Sequence, residues 1–265
     1  MIAFTFQGIA GPVWNFALPI LNGHIDDLLK RLRDKHLYRW GVSAVELVSG
    51  VLFRMNVVKQ APLPEGPKII APNHPSTTDP FLILTLTRDK VSILIDARLF
   101  KVPIFGRYLK AAGHIPVVPG RGREAFEEAR RRLEAGQSVA IFPEGAISPE
   151  EGGLHPPRTG AARLALLTGA PIVPVGIHLE PSHIRRIDTE IDGKIAMGTW
   201  YMSGPYAMTV GEPLHIDGDV EDRKNVTEAS ERIMRHIACL AQESAYRMAT
   251  SQVLAALGSG RIAYT

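Results

Sequence analysis

The chain has 265 residues, of which 45% are hydrophobic and 22% charged, the balance of one folded α/β domain with appendages and not that of a disordered chain. The net charge of +3 is mild, and its basic clusters, Lys30, Arg31, Arg33, Lys35 and Arg130, Arg131, Arg132, suit an anionic surface or the solvated faces of helices. No zinc-finger or RNP-type aromatic motif accompanies them, so nucleic acid is not expected as a partner. One cysteine, Cys239, excludes an intramolecular disulfide and a cysteine-based zinc site, and fits a reducing, cytoplasmic compartment.

Residues 1–60 read as an N-terminal helical segment. The apolar stretch from Ile9 to Leu21 is interrupted by Pro12 and Pro19 and is shorter than the ~20 residues a spanning helix needs. The first basic residue is Lys30, so the charged start of a secretory signal is not expected either. Ile25, Leu28, Leu29 and Leu32 have amphipathic spacing next to the Lys30–Lys35 cluster. That pattern suits a helix packed on the core or one lying in a membrane interface. The expectation is a peripheral protein on the inner face of the cell membrane, docked through residues 1–40. A second helix is expected at about Trp40 to Arg54, and Ala61 to Pro67, with three prolines and one glycine, marks a boundary.

From 61 to 265, short apolar runs alternate with helical patterns. Strands are expected at Lys68–Ala71, Val91–Ile95, Ile115–Val118, Ser138–Phe142 and Ile172–Ile177. Helices are expected at Pro80–Thr87, Ile104–Ala111, Arg123–Ala135 and Gly160–Leu167, several of them closed by glycine. This predicts an α/β fold with a mixed, largely parallel sheet flanked by helices. Ile195–Met202 and Tyr206–Val210 can extend the sheet, and a C-terminal helix follows with Asn225 and Glu228 as a capping box.

The first polar cluster, Asn73-His74-Pro75-Ser76-Thr77-Thr78-Asp79-Pro80, sits between an apolar strand and an apolar helix. On a regular helix, residues five apart point about 140° apart, so His74 and Asp79 meet only if the segment bends; Pro75 supplies a bend. Asp79 also suits a helix N-cap before Pro80, alone or in a capping box with Ser76. From spacing alone, a cap and a catalytic pair both remain open. The second cluster, Phe142-Pro143-Glu144-Gly145, follows another strand, where ligands collect in α/β folds, although a Pro-Glu-Gly turn is also ordinary turn chemistry.

Taken together and in order, Asn73 to Pro80, Gly113-His114-Ile115, Phe142 to Gly145, Arg158-Thr159-Gly160 and Ile172-Val173-Pro174-Val175 resemble the glycerolipid acyltransferase family that includes lysophosphatidic acid acyltransferases. The resemblance covers about Lys68 to Ile177. It implies His74 as general base, Asp79 as its orienting partner, and Asn73, Ser76, Glu144 and Gly145 at the substrate site. Many members that acylate phosphate-bearing lipids carry an arginine six residues after the glycine of the second motif, where this chain has Pro119. Arg98, Arg121, Arg123 and Arg158 are the candidates to replace it as phosphate ligands.

The implied reaction moves a fatty acyl group from acyl-CoA or acyl carrier protein to the hydroxyl of a lipid acceptor such as 1-acylglycerol 3-phosphate. Neither a metal nor a bound cofactor is required. Backbone amides at the helix start near Asp79 are the expected oxyanion donors. Three rival readings are an acyltransferase with a non-phosphate lipid or glycolipid acceptor, a metal-dependent hydrolase drawing on His74, His114, His155 and His178, and a noncatalytic lipid-binding protein. The histidine spacing argues against the hydrolase, because no HExxH pair is present.

Overall fold

A computed structural model describes residues 36–102, 104–191 and 194–258. The amphipathic stretch at Ile25–Leu32 and the cluster from Lys30 to Lys35 lie outside them. Helix α1 covers 36–52 and leads into strand β1 (Phe53–Lys59). The remaining elements, in chain order, are β2 (Ile69–Pro72), α2 (Asp79–Ile83), β3 (Val91–Asp96), α3 (Phe105–Ala112), β4 (Ile115–Val117), α4 (Gly122–Glu134), β5 (Ser138–Ala140), α5 (Gly160–Thr168), β6 (Ile172–Leu179), β7 (Ile184–Ile191), β8 (Lys194–Tyr201), β9 (Gly204–Val210) and α6 (Arg223–Gly258).

Seven strands form one sheet in the order β1-β9-β6-β2-β5-β3-β4. The five strands from β6 to β4 are mutually parallel, and β9 joins antiparallel to β6, with β1 parallel to β9. This is the expected mixed, largely parallel α/β sheet. Parallel strands covered on both faces read as unbroken apolar runs, and successive residues then feed opposite cores. Ile70 packs with Val173, Val175 and Ile177 on the face covered by α1, α2 and α3. Ile69 and Ala71 face Ala161, Leu164 and Ile233 of α5 and α6 on the other. On that second face α6 lies directly on the sheet: a Cβ at Gly176 would come within 2.0 Å of the Ala241 backbone nitrogen.

Several expectations shift. β1 precedes the proline-rich stretch at 61–67 and yet pairs with β9 along its whole length, so the sheet extends across that stretch. Ile195–Met202 does not extend the sheet; β8 pairs instead with β7 in a separate two-stranded hairpin. The helix expected at Pro80–Thr87 is five α-helical residues followed by a 3-10 turn at Leu84–Leu86. The capping box of Asn225 with Glu228 does not form, because α6 begins earlier, at Arg223; Asp222 caps it by accepting the Lys224 N–H at 2.8 Å, and the Asn225 side chain packs over Gly218.

For the site, the decisive pairing is β2 beside β5, with Ile69 opposite Val139 and Ile70 opposite Ala140. The loops that leave the C-terminal ends of these two strands carry the two polar clusters, so parallel neighbours deliver them side by side.

Candidate active site

The loop after β2 is fixed before it reaches His74. The Asn73 side chain donates from Nδ2 to Ile177 O at 2.9 Å and accepts the Ile177 N–H on Oδ1 at 2.7 Å. It thus continues the β2–β6 ladder by one step. Beyond His74, the Thr77 N–H donates to Thr199 O at 2.7 Å, and Thr78 Oγ1 donates to Tyr201 O at 2.9 Å. The β7–β8 hairpin is therefore stitched to the loop. The bend required to bring His74 and Asp79 together is closed by the Asp79 N–H donating to Ser76 O at 3.2 Å.

His74 Nδ1 lies 3.2 Å from Asp79 Oδ2. The Asp79 side chain is 0% exposed, and a buried carboxylate must be fully hydrogen-bonded to stay charged. It is: Oδ2 accepts the Ser76 N–H at 2.6 Å, while Oδ1 accepts Ser76 Oγ at 2.7 Å and Tyr206 OH at 2.8 Å. An acceptor-only carboxylate on Nδ1 puts the ring proton there and leaves Nε2 as the basic nitrogen. Nε2 has no protein partner among the described residues, and the His74 side chain keeps 17% of its surface exposed. The imidazole lies over the Phe142 ring at 4.1 Å between centroids, which restricts it to one orientation.

The second cluster sits beneath the first. Glu144 is buried, and its carboxylate accepts the His74 N–H on Oε1 at 2.9 Å, Ser148 Oγ on Oε1 at 2.6 Å, and the His155 N–H on Oε2 at 2.9 Å. The Ser148 N–H returns a bond to His74 O at 2.8 Å. Gly145, at φ +65, is required by close approach as well as by conformation, since a Cβ there would fall 2.1 Å from Arg158 Nε.

These placements redistribute the roles implied by the sequence. Asn73, Ser76 and Glu144 are buried, and their side chains bond within the protein and hold the two loops in place. Asp79 is the first residue of α2 and not its cap; Thr78 holds the cap position without a side-chain bond. Half of the expected capping box exists, because the Asp79 carboxylate reaches the Ser76 N–H, but the Ser76 hydroxyl donates to Asp79 instead of accepting from it. The expected oxyanion donors near Asp79 are occupied: the N–H groups of Ser76, Thr77, Thr78, Asp79 and Phe81 all donate within the protein.

The arginines separate as well. Arg98 forms a fork with Asp96, and Arg121 pairs with Glu124 in the first turn of α4. Arg123 is exposed in the first turn of α4, just after Arg121 at the helix cap. Only Arg158 among the four is tied to the site, with its backbone N–H on Pro143 O at 2.8 Å and its side chain across Gly145; no charged partner holds its guanidinium among the described residues.

The other histidines do not converge on His74. Burial pushes the His114 imidazole down to about 4, and its Nδ1 accepts the Ile93 N–H at 3.2 Å. His155 Nε2 bonds to Ile147 O at 3.0 Å. His178, lowered by burial, lines an open groove of about 890 Å³ between α6 and the β7–β8 hairpin. Among the described residues no group of three or more His, Cys, Asp or Glu side chains is placed to hold a metal ion.

Residues the sequence did not single out complete the site: Tyr206 on β9, Ser148, and the β8 backbone that anchors Thr77 and Thr78. No local signal could have found Tyr206, which lies 127 residues from Asp79 in the chain.

Residues 54–178 match the family described as Acyltransferase. The chain is 29% identical over 121 residues, 44% of its own length and 35% of the relative's, to 1-acyl-sn-glycerol-3-phosphate acyltransferase BAT2, chloroplastic, of Brassica napus. It is 29% identical over 174 residues to the 1-acyl-sn-glycerol-3-phosphate acyltransferase of Cocos nucifera, with 63% of this chain and 54% of that one covered. The chain therefore spans about a third to a half of the length of these curated relatives. Its fold is similar to the crystal structure of the 1-acyl-sn-glycerophosphate (LPA) acyltransferase PlsC from Thermotoga maritima, with a TM-score of 0.55, 21% identity, and coverage of 85% of this chain and 88% of that chain. Over residues 54–178 the chain is thus similar to the acyltransferase family, and the relatives with which it shares that likeness are described as 1-acyl-sn-glycerol-3-phosphate acyltransferases.

Proposed function

We propose that the protein is an O-acyltransferase that moves a fatty acyl group from a thioester, acyl-CoA or acyl carrier protein, to the hydroxyl of a 1-acylglycerol 3-phosphate-like acceptor, with His74 as the general base. The observation that carries this reading is the His74–Asp79 pair itself: Nδ1 held at 3.2 Å by a buried carboxylate, and Nε2 of the partly exposed imidazole without a partner among the described residues. In the proposed step, Nε2 takes the acceptor's hydroxyl proton as that oxygen attacks the thioester carbonyl. The new C–O bond forms, the C–S bond breaks, and the proton on Nε2 passes to the departing thiolate. Asp79 fixes the tautomer and stabilises the imidazolium as it forms, without accepting the proton. No covalent enzyme intermediate is needed.

For the acceptor's phosphate, Arg158 is the ligand the geometry favours, because guanidinium forks suit phosphate oxygens, Arg98 and Arg121 are paired, and Arg123 lies on α4 outside the two motif loops. A second reading, an acceptor without phosphate, is favoured by Pro119 and by the pairing of Arg98 with Asp96 and Arg121 with Glu124.

Peripheral docking on an anionic bilayer belongs to the same proposal. Its support within the described residues is the outer face of α1, where Trp40 is 74% exposed and Leu47, Val48 and Val51 are exposed on neighbouring turns. No described helix is long and apolar enough to cross a membrane. The experiment that tests the reaction is thiol release from an acyl thioester by the purified protein, with and without 1-acylglycerol 3-phosphate.

A further inference from the structure

The geometry points to Tyr206 as a positioning residue: its phenol O–H ties Oδ1 of Asp79 to the central sheet, so that Oδ2 stays aimed at Nδ1 of His74. This rests on His74 acting as the base. The four contacts of the Asp79 carboxylate divide into two kinds. Ser76 N and Ser76 Oγ belong to the same short loop as Asp79, and so does His74, the group being positioned. Tyr206 OH, at 2.8 Å, is the donor that comes from outside the loop.

That donor is held rigidly. Tyr206 lies on β9 with ladder partners on both sides, Leu179 of β6 and Met55 of β1. Its ring is fully buried and meets Phe53 and Tyr201 edge-on, each at 6.0 Å between centroids. Burial, and after it the neighbouring Asp79 charge, raises the phenol well above its ordinary value, so the hydroxyl remains a donor across the working pH range. A ring needed only to fill the core would do so as phenylalanine; the hydroxyl is needed only by Asp79. Without it, Oδ1 retains the Ser76 hydroxyl alone, and the carboxylate can turn about its own side-chain torsions within the anchored loop.

Two measurements on the full chain test this. In the first, the Nδ1–H proton of His74 is followed by NMR in wild type and Tyr206→Phe, with no substrate present. The bond to Asp79 gives a downfield resonance, expected to move upfield or broaden in Tyr206→Phe while the amide spectrum of the core stays unchanged. An unaltered resonance overturns the proposal. In the second, thiol release from an acyl thioester with 1-acylglycerol 3-phosphate is measured for wild type, Tyr206→Phe, Asp79→Asn and the double variant. Tyr206→Phe should lower kcat by ~10- to 100-fold, the scale of a hydrogen bond to a charged group, with KM for both substrates nearly constant. In the Asp79→Asn background the same substitution should cost little further, because its effect passes through that carboxylate. Wild-type kcat in Tyr206→Phe, or losses that multiply in the double variant, overturns the positioning role while leaving acyl transfer standing. No turnover by wild type at all overturns the acyl-transfer reading, and this one with it.

Discussion

Glu144 Oε1 accepts the backbone N–H of His74 at 2.9 Å, so the carboxylate of the second motif is bonded to the residue of the first that is proposed as the base. With Ser148 Oγ and the His155 N–H also on this carboxylate, its removal strands these two donors and leaves the His74 N–H only its longer bond to Ser148 Oγ at 3.2 Å. Glu144→Ala is expected to destabilise the fold by on the order of 3 kcal/mol, the cost of buried donors left unpaired. Urea denaturation checks this. A variant of unchanged stability with only a raised KM for the acceptor would instead place Glu144 in contact with substrate.

Arg158→Ala should raise KM for a phosphate-bearing acceptor by an amount equivalent to ~1.5 to 3 kcal/mol, with little change for the thioester. Arg121→Ala should do far less, because that guanidinium is engaged with Glu124 at an exposed helix start. Steady-state kinetics with each substrate varied in turn distinguishes them. No change with either variant would favour an acceptor that lacks phosphate.

Stability should fall below neutral pH in a window set by His114. Its folded imidazole is held at about 4 against an ordinary 6.5, with burial the main cause and Lys90 the second. The unfolded chain therefore binds the proton first. The neutral histidine's contribution is fully present above about 6.5 and is lost as pH falls from there towards about 4. The loss is on the order of 3 kcal/mol. Denaturation midpoints between pH 7 and pH 4 should fall less steeply in His114→Gln, whose side-chain oxygen can still accept the Ile93 N–H. Parallel profiles for the two proteins would show that other groups set the acid limit.

Replacing Trp40, Leu47 and Val51 together by serine should weaken co-sedimentation with anionic vesicles at least ~10-fold, since each exposed apolar side chain contributes about 1.5 to 3 kcal/mol when it leaves water. Unchanged binding would mean that α1 does not contact the bilayer.

Much of the fold is written locally. Runs such as Ile172 to Ile177 are apolar without a break because both faces of a parallel strand are covered, and β6 lies where they predict it. β1 and β7 escaped notice for the opposite reason. Arg54, Asn56 and Lys59 interrupt an edge strand, and Arg185, Arg186 and Asp188 give the hairpin strand a charged, solvent-facing pattern. The two motif loops were legible as neighbours only through the resemblance, since nothing local predicts that β2 and β5 pair. Burial is the property that spacing could not supply. Spacing places Glu144 in a turn but does not show the three donors on its carboxylate, nor that the Ser76 hydroxyl lies on Asp79. The run Tyr206 to Val210 reads as a strand and becomes β9, but the meeting of Tyr206 with Asp79 depends on where β9 enters the sheet, between β1 and β6, which no local pattern shows.

The central claim is that His74 is the base of an acyl transfer, and the measurement closest to it is thiol release from an acyl thioester in the presence of 1-acylglycerol 3-phosphate, by wild type and by His74→Ala. Wild type should turn over, and His74→Ala should lose ~10²- to 10⁴-fold in rate, the span of general base catalysis, with an unchanged circular dichroism spectrum. A folded His74→Ala protein that releases thiol at close to the wild-type rate would contradict it.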